Sequence, residues 1–291
     1  MQEIHYINNS TGKEEIEKVP GNGFLNFLYG GNPFGRMSLW LMVKRKYFSV
    51  AFGKYMSSSL SKSKIKPFVE KHKIDLNEYQ KQEFEHFNDF FYRKIKKSAR
   101  PIGEGIVSPA DGRVLVFPKI TDTQKFYVKG SEFNLKTFLQ NEELAKKYHN
   151  GSMMIVRLAP VDYHRFHFPV SGIVSESVKI KGDYYSVSPI ALRQKVDIFL
   201  QNKREYCSVQ NDQYGDVLVC DIGATLTAGI HQTYTPNSRV KKGDEKGYFS
   251  FGGSTLIVLF EAEKVDFSQN LIEFCEKGIE TLLKMGEQVG K

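Results

Sequence analysis

A chain of 291 residues with 41% hydrophobic and 25% charged side chains has the makeup of a folded protein with a sizeable core, which excludes a disordered polypeptide. Its three cysteines, Cys207, Cys220 and Cys275, are odd in number and lack Cys-x-x-Cys spacing, so neither a disulfide framework nor a zinc site is indicated and a reducing compartment is the simpler setting. The net charge of +8 favours an acidic partner; with no RNP, zinc-finger or helix-turn-helix signature beside the basic clusters, an anionic membrane is preferred to nucleic acid.

Met1 to Pro20 is polar and carries Glu14, Glu15 and Glu17, so it does not read as a secretory signal. From Phe24 to Met56, apolar and aromatic residues accompany Lys44-Arg45-Lys46, a composition suited to the headgroup boundary of a bilayer. Its most apolar stretch, Met37 to Val43, is far short of the ~20 residues a spanning helix needs, and a surface-lying helix and an internal core helix both fit the pattern. Asn77 to Lys97 predicts a helix, because Phe84, Phe87, Phe91 and Ile95 recur at three- and four-residue steps before Pro101. From Gly105 to Glu261 the texture changes to short strand-like runs between turn residues: Gly112 to Phe117, Ser152 to Ala159, Gly172 to Ile180, Asp216 to Ile222 and Thr255 to Phe260. Helical interruptions are expected near Asn134 to Lys147 and Ile190 to Leu200, and a last amphipathic helix from about Ser268 to Met285. The pattern predicts an α+β fold: an antiparallel β core over residues 99–291, a helical, membrane-associating region over 1–98, and a C-terminal helix.

Three constellations carry chemistry. Ser108-Pro109-Ala110-Asp111-Gly112 is a turn between strands, in which Asp111 either bonds nearby backbone or offers a carboxylate to a site. Between Pro160 and Pro169 lie His164 and His167, side chains that exchange protons near neutral pH; on spacing alone, metal binding is a rival reading that lacks a third ligand. Gly252-Gly253-Ser254-Thr255 precedes the run Leu256 to Phe260; it is either a turn entering a strand or an exposed peptide bond that the Ser254 hydroxyl could attack. A Ser-His-Asp hydrolase is also conceivable, but position 256 is Leu where a Gly-x-Ser-x-Gly elbow needs glycine.

These three motifs, in this order and with these gaps, resemble the phosphatidylserine decarboxylases, a pyruvoyl-dependent family. The likeness extends to Phe87 to Arg93, Arg100-Pro101-Ile102, Tyr185 to Pro189, Gly223-Ala224 and Lys242 to Phe249, and covers about residues 80 to 265. Ser188 departs from the Asn usual in the family, and Gly-Gly-Ser-Thr replaces the commoner Leu-Gly-Ser-Thr. The resemblance implies that His167, oriented by Asp111, deprotonates Ser254, whose oxygen attacks the Gly253 carbonyl. The chain then parts into residues 1–253 and 254–291, which stay together as a heterodimer or a higher oligomer of it. Ser254 becomes a pyruvoyl group whose ketone condenses with the substrate amine, with neither pyridoxal phosphate nor a metal required. His164 is implied in protonating the product or holding the substrate carboxylate. A lipid substrate implies peripheral association with the cytoplasmic face of an anionic membrane.

Overall fold

Val-, Ile-, Leu- and Met-rich runs assemble into one broad sheet in the computed structural model, which describes residues 4–17, 46–122, 134–183, 185, 198–223, 229–252 and 254–291 with single positions at 23, 34 and 38. The strands are β1 (His5–Asn8), β2 (Lys13–Ile16), β3 (Ile106–Val107), β4 (Gly112–Phe117), β5 (Ser152–Leu158), β6 (Arg165–His167), β7 (Gly172–Val174), β8 (Val178–Ile180), β9 (Arg204–Asn211), β10 (Gly215–Gly223), β11 (Ile230–Gln232), β12 (Ser238–Val240), β13 (Glu245–Phe249), β14 (Ser254–Phe260), β15 (Glu280–Leu283) and β16 (Gln288–Gly290). Eleven of them form the main sheet in the order β12-β7-β9-β10-β14-β5-β4-β15-β1-β2, with β8 also on β9. The ladder is antiparallel except where β1 runs parallel to β15. A second sheet, β11-β13-β6, lies beside it, and β3 pairs with β16.

Side chains alternate along a strand, so each face of the main sheet has its own core. Leu256, Val258 and Phe260 of β14 pack with Phe166 and Phe249 of the smaller sheet and with Phe168 just beyond β6. Ile257 and Leu259 pack on the other side with Phe138, Tyr148 and Phe199, carried by or next to the helices α4 (Leu135–Leu139), α5 (Glu142–Lys147) and α6 (Ile198–Gln201). Burying each such side chain stabilises the fold by about 1.5–3 kcal/mol. Ahead of the sheet core come α1 (Lys46–Met56), α2 (Ile65–His72) and the single turn α3 (Phe87–Phe91), which gather a third, aromatic cluster of Phe84, Phe87, Phe90 and Phe91.

A β-bulge in the smaller sheet supplies a link to the main one. Glu245 pairs with His167 and Gly247 with Phe166, leaving Lys246 as the extra residue of β13. A bulge re-aims a side chain, and here it sends Lys246 inward, fully buried, to Oδ2 of the equally buried Asp221 on β10. The Lys246 ammonium also donates to Gln232 Oε1 at 3.1 Å, and Gln232 Nε2 donates to Asp221 Oδ2 at 2.7 Å.

The mixed α+β architecture and the antiparallel core follow the sequence expectation, and three elements do not. The N-terminal part is not helical throughout: β1 and β2 form a hairpin on the main sheet, and the buried Glu17 that follows pairs with Arg113 and Arg157. Asn77 to Lys97 is not one helix. The chain doubles back, with Gln80 N–H donating to Lys94 O and Lys96 N–H to Glu78 O (both 2.9 Å), and only Phe87–Phe91 is α-helical, with short 3-10 turns at Leu76–Glu78 and Lys97–Ala99. The spacing of Phe84, Phe87 and Phe91 reflects their convergence on the aromatic cluster, where tertiary packing overrides local periodicity. The C-terminal helix, α7 (Gln269–Glu276), ends early because Gly278 takes φ +73° and donates to Cys275 O, while Ile279 N–H bonds Phe274 O, a Schellman stop after which the chain becomes β15. The stretch from Phe24 that is expected to associate with a membrane lies outside the described residues before position 46, single positions 34 and 38 apart, as do Gly253, Ala224, Ser188 and most of Ile190 to Leu200.

Candidate active site

Ser254 is the first residue of β14 and sits between Leu158 at the end of β5 and Gly223 at the end of β10. Its side chain shares the face of Leu256 and Val258, and its Oγ is buried with no hydrogen-bond partner, as is Thr255 Oγ1. A buried hydroxyl left unpaired costs free energy and leaves the oxygen available to react. Before it, Gly252 has φ +145°, a conformation open to glycine, which is why a side chain is absent there.

Beyond β5 the chain turns at Ala159 to Asp162. Asp162 Oδ2 accepts from Ala159 N–H at 2.7 Å and pairs with Arg113, which leads the backbone into His164 and β6. His164 is fully buried, with its ring 3.8 Å from that of Phe91. Its Nδ1 lies 3.0 Å from Asp162 O; since a carbonyl only accepts, Nδ1 carries the proton and Nε2 is a bare, buried lone pair without a partner. Burial drives the His164 pKa down to about 3, so the ring is neutral. His167 is likewise held neutral by burial. Its Nδ1 donates to Gly243 O at 2.9 Å, and its Nε2 accepts from the Tyr163 hydroxyl at 3.2 Å.

Asp111 lies in the predicted turn, between β3 and β4, and Pro109 O of that turn accepts from His167 N–H at 2.8 Å. Its buried carboxylate takes both prongs of Arg100 (Nε at 2.9 Å, Nη2 at 2.6 Å) and the Met285 N–H at 2.8 Å, with Lys284 Nζ 3.6 Å away. Burial alone would raise the carboxyl; Arg100, Lys284 and the amide outweigh it and keep Asp111 ionised. The two motifs therefore meet through backbone, and the negative charge of Asp111 acts on both histidines. Asp111 and His167 do not share a direct hydrogen bond, because Arg100 and Gly243 occupy the positions through which they would make one.

His164, His167, Asp111 and Ser254 thus lie at or beside the ends of β4, β5, β6 and β14, with both histidines neutral and Ser254 Oγ unengaged. Arg100, Tyr163, Asp162 and the Gly243 carbonyl complete the setting; all four lie within stretches that carry the family resemblance, but residue type alone assigns none of them a role. No cluster of three or more His, Cys, Asp or Glu side chains suited to a metal occurs among the described residues.

The family described as Phosphatidylserine decarboxylase matches residues 87–291. A phosphatidylserine decarboxylase proenzyme of Fusobacterium nucleatum is 51% identical over 295 residues, covering 100% of this chain and 98% of its own length. Proenzymes of the same name from Clostridium novyi and Clostridium tetani are 48% and 44% identical, with at least 98% of each chain covered. The chain belongs to the phosphatidylserine decarboxylase family.

Proposed function

We propose that this chain, a carboxy-lyase of phospholipid biosynthesis, converts phosphatidylserine to phosphatidylethanolamine with a pyruvoyl group made from its own Ser254. The observation that carries the reading is the unpartnered, buried Ser254 hydroxyl placed directly after two glycines in a chain of this family. The residues fit such a group: Gly223, opposite Ser254 on β10, contributes no side chain, and the neutral His164, whose ring lies on Phe91 as does that of Phe251 three residues before Ser254, offers a free nitrogen lone pair.

In the first reaction Ser254 Oγ adds to the Gly253 carbonyl, the peptide C–N bond gives way to an ester, and its proton passes to a neutral histidine. His167 is assigned this base, with Asp111 acting through its charge and Tyr163 yielding its hydrogen bond to the serine. Loss of the Ser254 Cα proton then expels the Gly253 carboxylate, and hydrolysis of the resulting enamine with release of ammonia leaves residues 254–291 headed by the pyruvoyl group. That group supplies an electrophilic ketone beside an amide carbonyl, an electron sink for decarboxylation. His164 Nε2, shielded from water and neutral, is assigned to hold the substrate carboxylate or to hand back the proton that replaces it.

The protein acts from the membrane surface. No helix of the described residues is long and apolar enough to span a bilayer. From the end of α1, through the segment joining it to α2, to the first turn of α2 the chain exposes Tyr55, Leu60 (73%), Lys62, Lys64 and Lys66, an apolar and basic stretch suited to an anionic leaflet, where each basic residue contributes about 1 kcal/mol.

Intact mass before and after borohydride tests the chemistry. Two fragments divided at Gly253/Ser254, the smaller with a reducible blocked N-terminus, are expected; Ser254→Ala remains one 33.3 kDa chain. A parent protein that stays whole yet decarboxylates would refute the assignment.

A further inference from the structure

The segment Phe87 to Arg93 helped to place the chain in its family, but its chemistry is not used above. One turn of helix, α3, sends three side chains to His164 and to Phe251, shortly before Ser254. Phe91 lies against His164 at 3.8 Å between ring centroids, and Phe87 and Phe91 flank the Phe251 ring at 5.3 and 5.0 Å. Asn88, 2% exposed, accepts from Phe251 N–H at 2.8 Å and donates from its amide to Ser57 Oγ, just beyond α1, at 2.9 Å.

Phe251 is three residues before Ser254. On its C-terminal side the scissile region is fixed by the β14 ladder, in which Ser254 pairs with both Leu158 and Gly223. On its N-terminal side the last hydrogen bond before Gly252-Gly253, among the described residues, is that from Phe251 N–H to Asn88 Oδ1. A pair of glycines is the most permissive link a chain can contain, so the direction in which the bond is presented depends on the two anchors around it. A side chain that served packing alone would be apolar here; this one carries a buried carboxamide with its acceptor and one donor satisfied by groups from 163 and 31 residues away.

We propose that Asn88 is a positioning residue for self-cleavage: its carboxamide oxygen holds the backbone at Phe251 so that the Gly253 carbonyl is presented to Ser254 Oγ. The inference rests on the self-cleavage reading above. Attack within a chain is sensitive to placement, and an error of about 1 Å costs on the order of 10²-fold in rate.

The test is a time course of scission in full-length protein made by cell-free synthesis, with parent, Asn88→Leu, Asn88→Gln and Asn88→Asp. Asn88→Leu removes the acceptor and is expected to slow scission about 10²-fold. Asn88→Gln keeps the amide but moves it by one methylene and is expected to be slow as well, which decides the matter if the Leu variant fails to fold. Asn88→Asp keeps an acceptor for Phe251 N–H and is expected to cleave within a few-fold of the parent. Folding is compared separately by melting each variant in the uncut Ser254→Ala background, and hydroxylamine is added to the slow variants to release any ester at Gly253/Ser254. Slow variants that melt like the parent and yield no hydroxylamine-labile product support the proposal. Parent-rate scission by Asn88→Gln, scission by Asn88→Asp as slow as by Asn88→Leu, or accumulation of the ester, overturns it. A parent that never cleaves would instead remove the self-cleavage reading itself.

Discussion

Lys246→Met exchanges the buried ammonium for an apolar side chain of similar length and leaves Asp221 fully enclosed. Its Oδ1 already has no partner, and Oδ2 would keep only Gln232 Nε2. Burial pushes the Asp221 carboxyl up even in the parent, while Lys246, which burial would lower, is held up by Asp221. Removing one member of a buried pair costs about 3–5 kcal/mol, whereas replacing both by apolar residues is often neutral or stabilising. Lys246→Met is therefore expected to lose about 3–5 kcal/mol at pH 7, and Lys246→Met/Asp221→Leu to recover most of it. The loss also has a pH signature. A carboxyl whose folded pKa is raised favours the folded state below the unfolded value of about 3.9, and that advantage disappears as pH rises through the folded pKa. The deficit of the single variant should accordingly shrink on acidification relative to the double variant. Urea unfolding in the Ser254→Ala background, where the chain stays uncut, measures all of this. A single variant within about 1 kcal/mol of the parent, or a double variant no better than the single, would refute the view that the pair is a mutually dependent clamp between the sheets.

Two further outcomes follow from buried charge. His164 and His167 are neutral in the folded protein, with pKa values lowered by burial, while in the unfolded chain they titrate near the ordinary ~6.5. Above that pH they leave stability unchanged; below it the unfolded chain takes up protons the folded one refuses, so each lowers stability by about 1.4 kcal/mol per pH unit until its folded pKa is reached. Denaturant titrations between pH 7 and 5 should show this slope, and it should flatten in His164→Gln/His167→Gln; an unchanged slope in that variant would remove the histidines as its cause. Arg100→Met strips Asp111 of its bidentate partner and leaves the Met285 amide with Lys284 at 3.6 Å. A loss of about 3 kcal/mol is expected, with slower scission on a gel, and Arg100→Met/Asp111→Asn should melt above the single variant.

The strands around the site could be read from sequence because β4, β5, β10 and β14 are dense in branched and apolar residues and bounded by turn residues. β9 was not: it begins with Arg204-Glu205, charged residues at buried positions, and only the fold supplies the Phe138, Leu200, Asn202 and Thr137 carbonyls that satisfy the Arg204 guanidinium. The hairpin β1–β2 was hidden for a similar reason, since its polar sequence depends on Arg113 and Arg157 to receive Glu17. At the site, Asp111, His164, His167 and Ser254 stood out by residue type and neighbours. Their hydrogen-bond partners did not, because Gly243 O reaches His167 from 76 residues away and carries no side-chain signature at all.

Scission at Gly253/Ser254 would leave the shorter piece owning β14, enclosed by β10 and β5, and β15, enclosed by β4 and β1. Those strands can enter such interior places as part of one continuous polypeptide, when finding their neighbours is a first-order search. Once the chain is divided, returning from the denatured state becomes a meeting of two molecules, governed by their concentration. On the self-cleavage reading, the same sheet would keep the pieces together in the native state, the cut would be a record of successful folding, and the divided protein would be suited to being assembled once.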